Sequence, residues 1–449
     1  MIDRAQLSDL LDGERRTFAA RNPRSRRAAA AATNLFDGVP MTWMAKSAGG
    51  FPLYLDRARG ARVTDLDGHE LVDFCLGDTG AMAGHSPAAT VAAVTARYAD
   101  LGGATAMLPT EDASAVAAQL TRRFGVSRWS FALTATDANR WAIRLSRAVT
   151  GRPKILFNSW CYHGTVDESL IVRGPDGAAS RPGNVGAPVD VTRTSRVAEY
   201  NDLGQLEREL AHGDVAAVLM EPALTNMGIV LPEPGYLEGV RDLTRSAGTL
   251  LVIDETHTLS AGPGGCTAAW RLTPDIVTLG KAIGGGIPIG AYGLEEQLAE
   301  RLTSRADLDL VDTGGVGGTL AGNALSLAAT RATLEEVLTE VAFEAMIGLA
   351  TRYTAGVERI IAAHDLPWSV AQLGARAEYR FCRPAPRNGT ESEAATDEEL
   401  EDFLHVFLVN RDILLTPFHN MALMCPATTV ADVDLHLEVL EAAVVALVG

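Results

Sequence analysis

This 449-residue chain has no cysteine with a partner at short spacing. Cys75, Cys161, Cys266, Cys382 and Cys425 stand singly and no C-x-x-C pair occurs, so neither a zinc cluster nor a disulfide framework is indicated and no bound metal is expected. Positive charge is also short. Thirty-nine Lys and Arg against 56 Asp and Glu leave a formal charge of −17. An acidic surface repels phosphate, which argues against nucleic acid and anionic membrane as partners. No apolar run is long enough to span a bilayer. The arginines Arg15, Arg16, Arg21, Arg24, Arg26 and Arg27 are mixed with Asp3, Asp9, Asp12 and Glu14 and have no apolar core beside them. A targeting peptide is therefore not expected, and the reducing cytoplasm is the expected compartment. Internal repeats are absent as well.

The chain is rich in short apolar runs that end in reactive groups. Thr249 to Ile253 ends in Asp254-Glu255, and Ile276 to Leu279 ends in Gly280-Lys281. Such runs predict buried parallel strands, whose C-terminal edge is where open α/β sheets hold ligands. A lysine and an aspartate at two strand ends suit a lysine amine that condenses with an aldehyde cofactor while the acid keeps that cofactor's ring nitrogen protonated. A structural salt bridge, or a phosphate-binding lysine in a glycine loop, fits the same spacing. A nucleotide P-loop is disfavoured, because Ala282 follows Lys281 and no glycine stands five residues before Gly280.

Other segments carry lesser signals. Asp67-Gly68, between alternating residues, predicts a β-hairpin. His85 reads as a structural hydrogen-bonder. Trp129 to Leu133 predicts a strand, Arg140 to Val149 a helix, and Thr134 to Asn139 the polar turn between them. A strand, turn and helix N-terminus form an anion site through unpaired N–H groups, although an ordinary capped helix has the same pattern. Lys154 to Asn158 predicts a strand leading to Tyr162-His163-Gly164. Residues 174–190 read as loop. Val215 to Met220 predicts a buried strand ending in Glu221-Pro222, with Asn226 beyond it. Residues 324–364 read as one long helix, and 384–395 as a mobile polar loop. Thr396 with Glu399 reads as a capping box, and the tail after Pro426 as an amphipathic helix. The N-terminal residues read as a solvated helix packed across a subunit contact.

Thr273 to Gly293, TPDIVTLGKAIGGGIPIGAYG, resembles the cofactor-lysine segment of the class III aminotransferases, which are pyridoxal-phosphate (PLP) enzymes of fold type I. The resemblance extends over most of the chain and leans towards the branch holding glutamate-1-semialdehyde aminomutase and β-amino-acid aminotransferases. It implies an α/β fold: a large domain over 96–335, with a mostly parallel central sheet flanked by helices, and a smaller α+β domain built from both chain ends, 1–95 and 336–449. Lys281 would carry the cofactor as a Schiff base and Asp254 would pair with its pyridine nitrogen. Thr136 and Asp137 would hold the phosphate, where the family's S-G-T-E-A reads T-A-T-D-A. Tyr162 would stack on the ring, Glu221 would stand near it, and Thr319, in G-T-L-x-G-N, would reach the phosphate of the neighbouring subunit. The implied assembly is a homodimer with the active site at the subunit interface. The implied function is transfer of an amino group from a small amino donor to a keto acid or aldehyde acceptor. An aminomutase or racemase of the same fold is the alternative, and a non-catalytic binding module a third. Arg376 and Arg380 are candidate anchors for a substrate carboxylate.

Overall fold

The computed structural model describes residues 2–186 and 189–449 in two compact units. One unit comprises Pro87–Phe343 and Pro386–Ala394, and the other Met1–Ser86, Glu344–Ala385 and Ala395–Gly449.

The first of these is organised by a seven-stranded sheet. Its strands are β1 (Arg128–Ala132), β2 (Lys154–Asn158), β3 (Ser195–Ala198), β4 (Val215–Met220), β5 (Leu250–Asp254), β6 (Ile276–Gly280) and β7 (Gly290–Leu294). Their spatial order is β1-β7-β6-β5-β4-β2-β3. The block from β3 to β6 is parallel, while β7 runs antiparallel to both its neighbours. Every residue of β4, β6 and β7 is buried, which is why these strands read as unbroken apolar runs rather than alternating ones. Ile155, Phe157, Ala217 and Leu219 feed one core, and Leu156, Val218, Met220 and Ile253 feed another. Because successive residues enter different cores, the sheet is covered on both faces. Asp254 of β5 pairs in register with Thr278 of β6, so the C-terminal ends of these strands lie side by side.

The other unit holds a four-stranded sheet of Leu55–Arg59, Arg62–Asp65, Glu70–Asp73 and Ile413–Leu414, and an antiparallel sheet of Ser369–Leu373, Arg376–Arg380 and Met421–Leu423. The Asp67-Gly68 hairpin forms as the sequence predicts, and His85 Nε2 bonds Asp73 Oδ2 at 2.7 Å. The tail helix Val430–Val448 opens on a capping box of Thr429 and Asp432.

The N-terminal helix Arg4–Arg21 packs on the helix Glu398–Val409 of its own chain, pinned by Arg15–Asp402 at 2.8 Å and Glu14–Arg411 at 3.0 Å. Several expectations are corrected. Residues 174–190 contain a strand, Gly177–Ser180, that closes a hairpin with Ile171–Gly174. Residues 324–364 are not one helix. A π turn at Thr333–Val337 ends the helix Ala324–Ala332, and the Arg123 guanidinium donates to the freed carbonyls of Leu334 and Leu338 at 2.7 and 2.9 Å. The helix Glu398–Val409 is capped by Asp397, since Thr396 Oγ1 accepts from Arg380 instead. Residues 386–394 are held rather than loose. They contain the helix Gly389–Ala394, with Arg387 Nε donating to Glu233 at 2.6 Å and Thr390 Oγ1 to Glu199 at 2.6 Å. Those bonds place them with the large sheet. The units divide at 86/87 and 343/344. Among the described residues no helix is long and apolar enough to cross a membrane.

Candidate active site

The ends of β1, β4, β5 and β6 carry the chemistry. Asp254 is buried, and its carboxylate is bonded on both oxygens. Oδ2 accepts from His163 Nδ1 at 2.9 Å and from Asn139 Nδ2 at 2.8 Å, and Oδ1 accepts from the Thr256 N–H at 3.0 Å. Thr278 Oγ1 donates to Asn139 Oδ1 at 2.6 Å and so fixes which way the amide points. Burial pushes the Asp254 carboxyl up, but the bond and charge of His163, with Thr256 and Asn139, outweigh it and hold the group at about 2. His163 moves the opposite way: burial opposes its charge, while the Cys161 thiol and the Asp254 carboxylate favour it, and it titrates well above its usual range. The carboxylate is thus kept ionised in a dry place, which is what a charged ring nitrogen requires of a partner.

The helix Ala135–Thr150 begins where β1 ends. Thr134 caps it, accepting from the Asp137 N–H at 3.1 Å and donating to Asp137 Oδ2 at 2.9 Å. Asp137 therefore completes the cap. The N–H groups of Ala135 and Thr136 head the 16-residue helix. Three glycines let other segments press against this turn. A Cβ on Gly280 would stand 3.1 Å from the Ala135 nitrogen, and one on Gly290 would stand 2.2 Å from the Thr134 carbonyl oxygen. A Cβ on Gly164 would meet Thr136 Oγ1 at 2.0 Å, and that oxygen accepts from the Thr165 N–H at 3.2 Å. The half-buried Tyr162 is therefore on a segment tied directly to the helix start, and Ala135 is accommodated where the family has glycine. An anion-binding turn, an ionised carboxylate and an aromatic side chain are the features a phosphorylated pyridine needs of its protein.

Lys281 follows β6 directly, at a φ of +49° that a non-glycine residue adopts only at a cost. Its Nζ lies 2.8 Å from His257 Nε2. Glu221, at the end of β4, is buried and accepts from Thr225 Oγ1 at 2.5 Å, and Asn226 donates to the Trp160 carbonyl at 2.9 Å. Glu221 ties down its own turn, and Asn226 ties its loop to the segment that follows β2. Thr319 lies on an exposed loop, and its side chain makes no hydrogen bond among the described residues. Arg376 and Arg380 belong to the other unit and are not surface residues. Arg376 is fully buried 3.4 Å from Glu378, which His419 also bonds at 2.9 Å, and Arg380 lies 3.6 Å from Glu401. Sequence reasoning missed Asn139, His163 and His257. The first two sit inside motifs already singled out, and His257 is three residues after Asp254.

This fold and site are those of a PLP-dependent enzyme of fold type I, and the chain belongs to the family described as aminotransferase class-III, whose profile it matches over residues 43–444. It is 34% identical to glutamate-1-semialdehyde 2,1-aminomutase from Chloroflexus aggregans, over 89% of this chain and 92% of that one. The crystal structure of a glutamate-1-semialdehyde-aminomutase from Pseudomonas aeruginosa PAO1 superposes with a TM-score of 0.96 at 46% identity, covering 99% of both chains, and a lysine-to-alanine variant of that protein has been solved in complex with PMP. An omega-transaminase from Sphaerobacter thermophilus follows at a TM-score of 0.86 and 28% identity, covering 96% of this chain and all of that one.

Proposed function

We propose that the chain is a PLP-dependent aminomutase that moves an amino group within a small amino aldehyde of the glutamate-1-semialdehyde class. The observation that carries the reading is the placement of Lys281, just past β6, and the ionised Asp254, at the end of the adjacent β5, in a chain whose full-length relatives bear aminomutase names. The cofactor, when bound, withdraws electrons from the carbon that loses a proton.

The chain's own residues supply the rest. Asp254, oriented by His163 and Asn139, would stabilise the charge of the ring nitrogen. The first N–H groups of the helix Ala135–Thr150 would hold the phosphate, with Thr136 and Asp137 shaping that turn. Tyr162 would offer a flat apolar face to the ring, and Glu221 would stand near it. Lys281 would hold the cofactor, and its amine, when free, would take the proton from one substrate carbon and return it at another, acting as base and then acid. Thr319, exposed on its own chain, reaches the phosphate site of a second copy, so the working unit is a homodimer. The unpaired cysteines support a cytoplasmic setting.

Transfer between two molecules, an amino donor and a keto acceptor, is the second reading, supported by the likeness to the omega-transaminase. The two separate on product. A panel of amino aldehydes and α-, β- and ω-amino acids is added singly to the yellow holoprotein without acceptor. An isomerised product with no free keto acid supports the aminomutase. A stoichiometric keto product with lasting loss of the yellow form supports the transaminase and overturns the first reading. The Lys281→Ala variant is expected to lose turnover below detection while still taking up PMP. Undiminished turnover in that variant would sink both.

A further inference from the structure

His257 and Lys281 meet for a reason visible in the strands. Asp254 of β5 pairs in register with Thr278 of β6, the last pair of that ladder, and the Glu255 N–H still donates to the Thr278 carbonyl. His257 is three residues beyond Asp254 and Lys281 three beyond Thr278, so equal advances bring them together, with Nε2 and Nζ 2.8 Å apart. Both side chains are half-buried. The backbone around His257 is fixed on either side. The Glu255 N–H donates to the Thr278 carbonyl at 2.8 Å, and the Ser260 N–H donates to the His257 carbonyl at 3.2 Å. The Glu255 carboxylate accepts from Thr258 Oγ1 at 2.5 Å, Thr267 Oγ1 at 2.6 Å and the Cys266 N–H at 3.1 Å, which locks the turn that follows.

Two basic nitrogens at this distance share one proton. Charging both sets like charges side by side and is disfavoured. With the proton on Nζ, His257 Nε2 accepts it in a hydrogen bond. The imidazole then carries its own hydrogen on Nδ1. That arrangement aims the ammonium, and it also gives its proton somewhere to go. A lysine must be neutral to attack a carbonyl or to take a proton from carbon.

We propose that His257 is the proton partner of Lys281. It positions the ammonium form and takes one proton from Nζ onto Nε2 whenever the amine must act as a nucleophile or a base. One N–H bond breaks at Nζ, one forms at Nε2, and the charge moves with the proton. This rests on the reading of Lys281 as the cofactor lysine. Other charged groups at these strand ends are Asp254 with His163, Glu255, and Glu221. All four stay in place in the variants below, so any pH effect they exert is common to every protein compared.

The test uses the full-length protein stripped of cofactor. PLP is added across a pH series. Covalent capture at Lys281 (the nitrogen bonds to the aldehyde carbon and the carbonyl oxygen leaves as water) is trapped with borohydride and measured by mass. His257→Gln keeps a hydrogen-bonding group but cannot take up a proton, and His257→Phe keeps neither. Both variants are expected to keep the wild-type circular dichroism spectrum. For His257→Gln, whose amide oxygen can still accept from Nζ but cannot take its proton, capture at pH 7 should slow at least about tenfold with the midpoint of the pH profile little changed. For His257→Phe, which removes the acceptor that favours the ammonium form, the midpoint should move down. A wild-type rate in His257→Gln would overturn the proposal, as would equal slowing in both variants with no difference in midpoint, the mark of a merely structural role. Failure of the wild-type protein to capture PLP at Lys281 would instead overturn the cofactor reading itself.

Discussion

Asp254 shows how much one side chain here depends on its neighbours. Its folded value of about 2 lies below the unfolded value of about 3.9, so its pairing stabilises the fold fully above pH 4 and loses that contribution as pH falls through 2. The linkage is worth about 2 kcal/mol. The same ion pair weakens at the alkaline end, once the pH passes the raised value of His163. Thermal melts of wild-type protein and Asp254→Asn, taken from pH 7 to pH 2, should show the wild type losing this increment between pH 4 and 2. The variant is less stable by about 3 kcal/mol at neutral pH, because His163 keeps its burial without its carboxylate, and the gap should narrow as pH falls towards 2. Turnover of the variant should fall by at least about 10²-fold at neutral pH, since an amide cannot hold the ring charge. An unchanged rate would remove Asp254 from the mechanism. Sequence alone made Asp254 and Lys281 legible, because each ends an apolar run and so announces a strand end. His163 and Asn139 were not legible as its partners. A hydrogen bond across 91 or 115 residues leaves no local pattern, and only the closed sheet brings such groups together.

At the scale of an element, the start of the helix Ala135–Thr150 is where strand ends, a cap and a neighbouring turn converge. A strand, a polar turn and a helix were readable in that order, but the helix starts five residues before the expected Arg140, because Thr134 caps it and Ala135 to Asn139 form its first turns. The use of Gly164 was unreadable too, because it depends on Thr136 arriving from another segment. Gly164→Ala should cost about 1–3 kcal/mol in a thermal melt, as its Cβ would overlap Thr136 Oγ1 and its φ is +79°. PLP should also leave the variant several-fold faster on dialysis, because the displaced group sits beside the N–H pair that holds the phosphate. Gly151→Ala is the control. It has the same kind of backbone, with a φ of +68° and nothing within 4 Å of an added Cβ, so it should lose only about 1 kcal/mol and keep its cofactor. Equal PLP retention in both variants would sever Gly164 from the cofactor site. The break at Thr333–Val337 escaped sequence reading for a related reason. Apolar periodicity continues through it, while the arginine that satisfies its carbonyls lies more than 200 residues earlier.

For the molecule as a whole, membership of a unit is set by which contacts a segment keeps and not by its composition. Pro386–Ala394 is the clearest case: a polar stretch that looks loose in sequence is bonded to Glu233, Glu199 and Met227. The proposed use of Thr319 across a two-fold interface can be tested by mixing two inactive proteins. Lys281→Ala and Thr319→Ala chains, co-refolded in equal amounts, should give hybrid dimers with one intact site each, and about a quarter of all sites should then be active. No recovery, with hybrids shown to form, would place Thr319 outside the partner's site.

The antiparallel β7 also sets the order in which this protein is finished. Ala132 of β1 pairs with Gly290 of β7, a separation of 290 − 132 = 158 residues. At a synthesis rate of about 5–20 residues per second, the turn at Thr134–Asp137 leaves the ribosome roughly 10–30 s before the strand that backs it. Lys281 emerges only nine residues ahead of that strand. A nascent chain therefore acquires Lys281 and the backing of that turn almost together, late in translation, and under the proposed use of both groups PLP would be taken up only by a chain whose central sheet is complete.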